Sequence, residues 1–169
     1  MDLTKRKLLV GGGMTAASFA AATLLGTSLR SAFAADAEKF EITHTDAEWR
    51  KLLSANEYAI LRQEGTERPF SSPLNDEHRA GTFSCAGCKL DAFSSKTKFD
   101  SGTGWPSFWQ PIAMAVSEHR DTTLGMVRTE IHCRRCGSHL GHVFDDGPKP
   151  TGLRYCMNGF AMHFAPAQA

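Results

Sequence analysis

The chain carries five cysteines, and their spacing divides them four to one. Cys85 and Cys88 form one C-x-x-C, Cys133 and Cys136 form a second, and Cys156 stands outside both. Two such pairs supply four thiolates for a tetrahedral zinc, and a closed four-sulfur set makes that zinc structural. Two disulfides are the alternative in an exported protein. A C-x-x-C disulfide is a redox device more often than a staple, so zinc is the better reading. The pairs lie farther apart than in a compact zinc finger, and a metal between them closes a long loop and joins two halves of a sheet. Cys156 is then either a small buried hydrophobe or a nucleophile. Arg154 two residues before it, Asn158 two residues after it and the imidazoles of His139 and His142 upstream favour the nucleophile. A neighbouring cation draws a thiol from about 8.5 toward neutrality and raises its thiolate fraction.

Two further stretches have the composition of a site. In Ser101–Phe108, Gly102, Gly104 and Pro106 surround Trp105, which suits a rigid loop presenting one aromatic face; a core tryptophan is the plainer possibility. In His139-Leu140-Gly141-His142 the two imidazoles face opposite ways along a regular strand, and a turn at Gly141 brings them together. Neither histidine has a carboxylate or third imidazole at ligand spacing, so beside a nucleophilic thiol their natural role is proton transfer.

These residues need a scaffold. Thr45-Asp46-Ala47-Glu48 is a capping box, and Trp49, Leu52 and Leu53 behind it share one helical face. A second short helix is expected over 56–63, and Arg68–Pro73 reads as an extended loop. From Gly81 onward the pattern is β-like. Strands are expected at 82–85, 98–99, 126–132 and 159–164, separated by Gly, Pro and Asp clusters. Together they describe a small antiparallel β-domain with long loops, covered by two helices.

Residues 1–34 differ from the rest. A basic start at Lys5, Arg6 and Lys7, an uncharged stretch from Leu8 to Leu29 and the small-x-small Ala32-Phe33-Ala34 are the order of an export signal. The start is similar to a twin-arginine signal with lysine in place of the first arginine. Cleavage after Ala34 is expected, with delivery to the bacterial periplasm; an uncleaved membrane anchor is the alternative. Residues 35–44 read as a linker. Of 19 basic and 18 acidic residues, the leader removes four and one, leaving 15 against 17. That mildly acidic balance gives no sign of a phosphate backbone as partner, and no nucleic acid is expected.

Taken in order, Cys85-x-x-Cys88, Lys98-Phe99-Asp100-Ser101-Gly102, Gly104-Trp105-Pro106-Ser107-Phe108, Cys133-x-x-Cys136, His139-Leu140-Gly141-His142-Val143-Phe144 and Arg154-Tyr155-Cys156-Met157-Asn158 closely resemble the B-type methionine sulfoxide reductases, the peptide-methionine (R)-S-oxide reductases. The likeness covers residues 45–166. It implies a mainly β fold of two antiparallel sheets with short N-terminal helices and one structural Zn(2+) joining the two knuckles. It implies that Cys156 attacks the sulfoxide sulfur, that His142 assisted by His139 protonates the departing oxygen, that Asn158 orients this group, and that Trp105 walls the substrate methyl. Arg154 either holds the thiolate or serves the fold. The substrate implied is methionine-(R)-sulfoxide, free or in oxidised proteins, and the sulfenic acid left on Cys156 is regenerated by a thioredoxin-like or other thiol reductant. The protein is expected to be a monomer. Many family members place a resolving cysteine between Gly102 and Gly104, where this chain has Thr103. A non-catalytic zinc-ribbon binding module is the rival from another class. It explains the paired cysteines but leaves Cys156, both histidines and Trp105 without a role. A general thiol peroxidase using Cys156 is the second rival.

Overall fold

The computed structural model describes residues 38–168; the expected export signal lies outside them. Helix α1 (Asp46–Leu52) starts at the expected capping box, with Thr45 and Glu48 each bonded to the other's backbone. Helix α2 (Ala55–Gln63) has a second such box, Ser54 with Glu57, which begins the helix one residue earlier than expected. Among the described residues, no helix is long and apolar enough to cross a membrane.

Nine strands follow: β1 (Gly81–Cys85), β2 (Asp91–Ser94), β3 (Lys98–Phe99), β4 (Ser107–Phe108), β5 (Val116–Asp121), β6 (Arg128–Cys133), β7 (His139–Phe144), β8 (Arg154–Met157) and β9 (Met162–Pro166). They form a three-stranded sheet, β2-β1-β9, and a six-stranded sheet, β3-β4-β8-β7-β6-β5. Every strand pairing is antiparallel. The fold is therefore mainly β, with two sheets and two helices, as the resemblance implied.

Phenylalanines join the sheets. Phe93 of β2 stacks on Phe108 of β4 with ring centroids 4.5 Å apart, and Phe83 of β1 meets Phe108 edge-on at 5.0 Å. All three are fully buried beside Ile131, Leu140 and Met157. The helices add Trp49, Tyr58, Ile60 and Leu61 to the same core.

The sequence pattern misplaced one element. Residues 159–164 do not form one strand: Gly159–Ala161 is a 3-10 turn, and pairing begins at Met162. The cause is a tertiary contact, because the Gly159 and Phe160 N–H groups are turned to the buried carboxylate of Glu67. Strands β2, β4, β5, β7 and β8 are additional to those the pattern announced. The strand expected at 126–132 is shifted to 128–133.

Candidate active site

Cys156 lies in the middle of the larger sheet, where register determines its neighbours. It is paired directly with Ser107 of β4 on one side and His142 of β7 on the other. Directly opposed residues of an antiparallel pair share a face, with Cβ atoms about 5 Å apart. The same row continues from His142 to Glu130 of β6 and His119 of β5. A thiol, an imidazole and a carboxylate thus stand side by side on one face.

A bulge brings the second imidazole to that face. In the β6–β7 ladder Ile131 pairs with Gly141 but His132 pairs with His139, leaving Leu140 without an opposite number. The extra residue resets the alternation. His139 and His142 then lie with ring centroids 5.3 Å apart. The bulge at Leu140, and not the expected turn at Gly141, is what joins them. Gly141 serves the sheet instead. A Cβ there would come within 2.2 Å of the Cys156 carbonyl oxygen, so glycine is what lets β7 close on β8.

Thr66, Trp105, Arg128, Gly141, His142, Phe144, Cys156 and Asn158 enclose a cavity of about 140 Å³. That is smaller than the roughly 300–1,000 Å³ of sites for drug-sized ligands and matches a single side chain. Of the expected residues, Cys156, His142, Asn158 and Trp105 meet here. His139 does not; it lies behind His142, 2% exposed, with Nδ1 2.8 Å from Glu130 Oε1.

Sequence reasoning missed Glu67, which organises one wall. Its backbone N–H donates to Asn158 Oδ1 at 3.1 Å, and its carbonyl accepts from Trp105 Nε1 at 3.1 Å. Its carboxylate accepts from the Gly159 and Phe160 N–H groups at 2.6 and 3.0 Å. Asn158 also donates through Nδ2 to the Leu140 carbonyl at 3.2 Å. Its amide is therefore engaged on both sides and ties β8 to the bulge. A lone glutamate in a loop gives no local signal of such a role.

Hydroxyls line the other side of the sulfur. Ser107 donates to the Trp105 carbonyl at 3.0 Å, so Ser101, 2.8 Å away, must donate to Ser107. Thr103, 2.8 Å from Ser101, must then donate to Ser101. Thr103 Oγ1 faces Cys156 Sγ at 4.0 Å.

Burial pushes the Cys156 thiol up, and the positive charge of Arg154 offsets only part of that. Arg154 is itself held by Asp146 through two 2.8 Å bonds, Nε to Oδ1 and Nη2 to Oδ2. The sequence alone suggested a thiol drawn toward neutrality. Burial and the carboxylate on Arg154 reverse that expectation. His142 is shifted the other way: burial lowers it, its 2.9 Å contact with Asp121 Oδ2 raises it, and the charge of Arg128 lowers it, with a net fall. A raised thiol beside a lowered imidazole makes the resting pair a thiol and a neutral ring.

The other four sulfurs form a separate cluster, with all four Sγ atoms within 4.8 Å of one another. Cys85 faces Cys136 at 3.8 Å, and Cys88 faces Cys133 at 3.4 Å. A disulfide needs about 2.05 Å, whereas thiolates about 2.3 Å from a shared tetrahedral ion lie roughly 3.8 Å apart. The set fits a metal, and none of these sulfurs is paired as a disulfide. The two knuckles have one geometry: Lys89 N–H bonds the Cys85 carbonyl and Gly137 N–H bonds the Cys133 carbonyl, both at 2.8 Å. The left-handed residue of each is Lys89 (φ 60°) and Gly137 (φ 66°). Gly87 of the first knuckle is not left-handed; it leaves room for the Ser138 hydroxyl and two of the sulfurs. Residues 38–42 pack on the second knuckle, with the Phe40 ring over Gly137 and Glu38 2.9 Å from His132 Nε2.

Comparison with known proteins identifies the family. A family model described as the SelR domain matches residues 53–166. The chain belongs to the SelR domain family. A peptide methionine sulfoxide reductase MsrB of Agrobacterium fabrum is 55% identical over 127 residues, covering 75% of this chain and 94% of the relative. The MsrB of Thiobacillus denitrificans is 58% identical over 123 residues, covering 72% and 93%. That of Leifsonia xyli is 52% identical over 130 residues, covering 76% and 94%.

Proposed function

We propose that this SelR-family chain is an oxidoreductase that reduces methionine sulfoxide to methionine, acting on the R epimer in oxidised proteins and as the free amino acid. The observation that carries this reading is the placement of Cys156 directly across from His142 in a side-chain-sized cavity, apart from the four clustered sulfurs. Trp105 and Phe144 give that cavity apolar walls for the thioether end of the substrate.

Cys156 attacks the sulfoxide sulfur as thiolate, having passed its proton to His142. His142 returns that proton to the oxygen of the S–S-bonded adduct, whose S–O and S–S bonds to the substrate sulfur then break as the oxygen passes to the Cys156 sulfur. The sulfoxide is reduced to a thioether, and the cysteine is oxidised to a sulfenic acid. His139 supports His142 from behind, and Asn158 holds β8 in register with β7. Thr103 stands where many relatives carry a resolving cysteine, so among the described residues no second thiol is within reach of Cys156. An external thioredoxin-like or other thiol therefore attacks the sulfenic acid, releasing water, and a second thiol resolves the mixed disulfide. Cys85, Cys88, Cys133 and Cys136 hold a structural zinc. Export to the periplasm with removal of residues 1–34 completes the proposal.

The test is turnover of both epimers of methionine sulfoxide and of hydrogen peroxide, with intact-mass analysis after one turnover without thiol. R-selective reduction and one oxygen atom gained at Cys156 are expected. Cys156→Ser should be inactive with its metal retained. Inactivity on every substrate would favour a binding module, and an intramolecular disulfide would refute the single-thiol cycle.

A further inference from the structure

Behind His142 lies a group of charged side chains that the proposed chemistry does not use. Asp121 sits at the end of β5, on the edge of the six-stranded sheet. Its carboxylate accepts from Thr123 N–H at 2.8 Å and Thr123 Oγ1 at 2.7 Å. Asp121 Oδ2 is shared between Arg128 Nη2 and His142 Nε2. The bonds from Thr123, with those from His142 and Arg128, hold this carboxyl well below the usual carboxylate range.

An ionised carboxylate accepts hydrogen bonds and cannot donate them. His142 Nε2, bonded to it, must therefore carry a hydrogen whether the ring is neutral or charged. That leaves Nδ1 as the nitrogen whose proton comes and goes. We propose that Asp121 is a positioning residue that fixes the tautomer of His142, so that Nδ1 is the atom exchanging a proton with the Cys156 pocket. The proposal rests on the reading of His142 as the proton carrier for Cys156.

The surroundings single out Asp121. The groups facing His142 are Asp121 on β5, Arg128 and Glu130 on β6, His139 on β7, Cys156 on β8 and Glu64 after α2. Glu130 is engaged by His139 Nδ1, and Arg128 is a cation bonded to Asp121 itself. Asp121, Glu130, His139 and Glu64 line a separate cavity of about 20 Å³ that shares Arg128 and His142 with the larger pocket, and Asp121 does not line the larger one. Asp121 reaches the Cys156 pocket only through the two side chains it holds, His142 and Arg128, and the ring-nitrogen spectrum reports on the first of these alone. Carboxylates that orient a catalytic imidazole in this way govern rates strongly, because the wrong tautomer leaves the acceptor on the wrong side.

The test is the ring-nitrogen NMR spectrum of the ¹⁵N-histidine-labelled full chain, followed through a pH titration, beside steady-state kinetics. Wild-type His142 should be Nε2-protonated when neutral. Asp121→Asn should mix or reverse the tautomers and move the His142 titration, and the acid limb of kcat, to lower pH. It should lower kcat about 100-fold or more with KM little changed. Asp121→Glu should recover part of the tautomer preference and of kcat. Thr123→Val removes one bond to the carboxylate and none to His142, so it should leave the tautomer unchanged; it serves if Asp121→Asn fails to fold. A neutral wild-type ring protonated at Nδ1, or an Asp121→Asn variant with kcat and acid limb unmoved, overturns the assignment. If the wild-type chain reduces no sulfoxide, the functional reading fails, while the tautomer spectrum still decides the role of Asp121.

Discussion

At the residue scale, the behaviour of Cys156 is a contest between burial and charge. A thiol raised above its ordinary value holds less thiolate at neutral pH, and thiolate is the reactive form. Alkylation of Cys156 by iodoacetamide in the substrate-free protein should therefore be slower at pH 7 than that of free cysteine. It should climb about tenfold per pH unit until the thiol titrates. Arg154→Gln removes the cation that offsets burial, so it should slow alkylation further at every pH below the plateau. A Cys156 titration at or below that of free cysteine would contradict this account. Much of the site was legible at this scale, because side-chain chemistry is carried by residue type. The arginine two residues from the cysteine was visible in the sequence. The burial, and the Asp146 carboxylate that takes up part of the Arg154 charge, depend on the fold and were not.

At the element scale, the site depends on two features without local signals, the Leu140 bulge and the Glu67 segment. Capping boxes and C-x-x-C knuckles were readable because their bonds close within a few residues. The bulge depends on how β7 meets β6, and β8 depends on being flanked by β4 and β7. Neither is encoded within its own stretch. Strand β5 is an edge strand whose residues include no fully buried one, so it lacks the alternation that announces a strand. Glu67 shows the cost of losing such a contact. Its carboxylate is 92 residues from Gly159 and satisfies two N–H groups of the turn after Asn158. Burial pushes that carboxyl up, while the two backbone donors pull it down. Glu67→Ala would leave those donors without their acceptor, at about 1–3 kcal/mol. Because the Glu67 backbone also holds Trp105 and Asn158, KM for the sulfoxide should rise as well. Thermal unfolding and steady-state kinetics of this variant check both, and an unchanged Tm would show that the turn is held by other contacts.

At the scale of the whole domain, the sulfur cluster ties the two sheets together. Cys85 ends β1 in the three-stranded sheet and Cys133 ends β6 in the six-stranded one. Between the sheets the other strong link is the phenylalanine stack, which is non-directional. A metal across the knuckles fixes their relative register and closes a loop, with Cys88 and Cys133 45 residues apart in sequence. A cross-link over that span is worth about 4 kcal/mol in the chain-entropy estimate, which corresponds to a Tm change of roughly 15 °C for a domain of this size. Stripping the metal with a strong chelator, or Cys85→Ser, should therefore lower Tm by about that much and release the bound metal, while Cys156→Ser should do neither. Far-ultraviolet circular dichroism on heating, with metal analysis of each sample, reads both quantities. A metal-free protein that melts where the loaded one does would mean that the aromatic core alone holds the sheets, and the division of the five cysteines would lose its structural half.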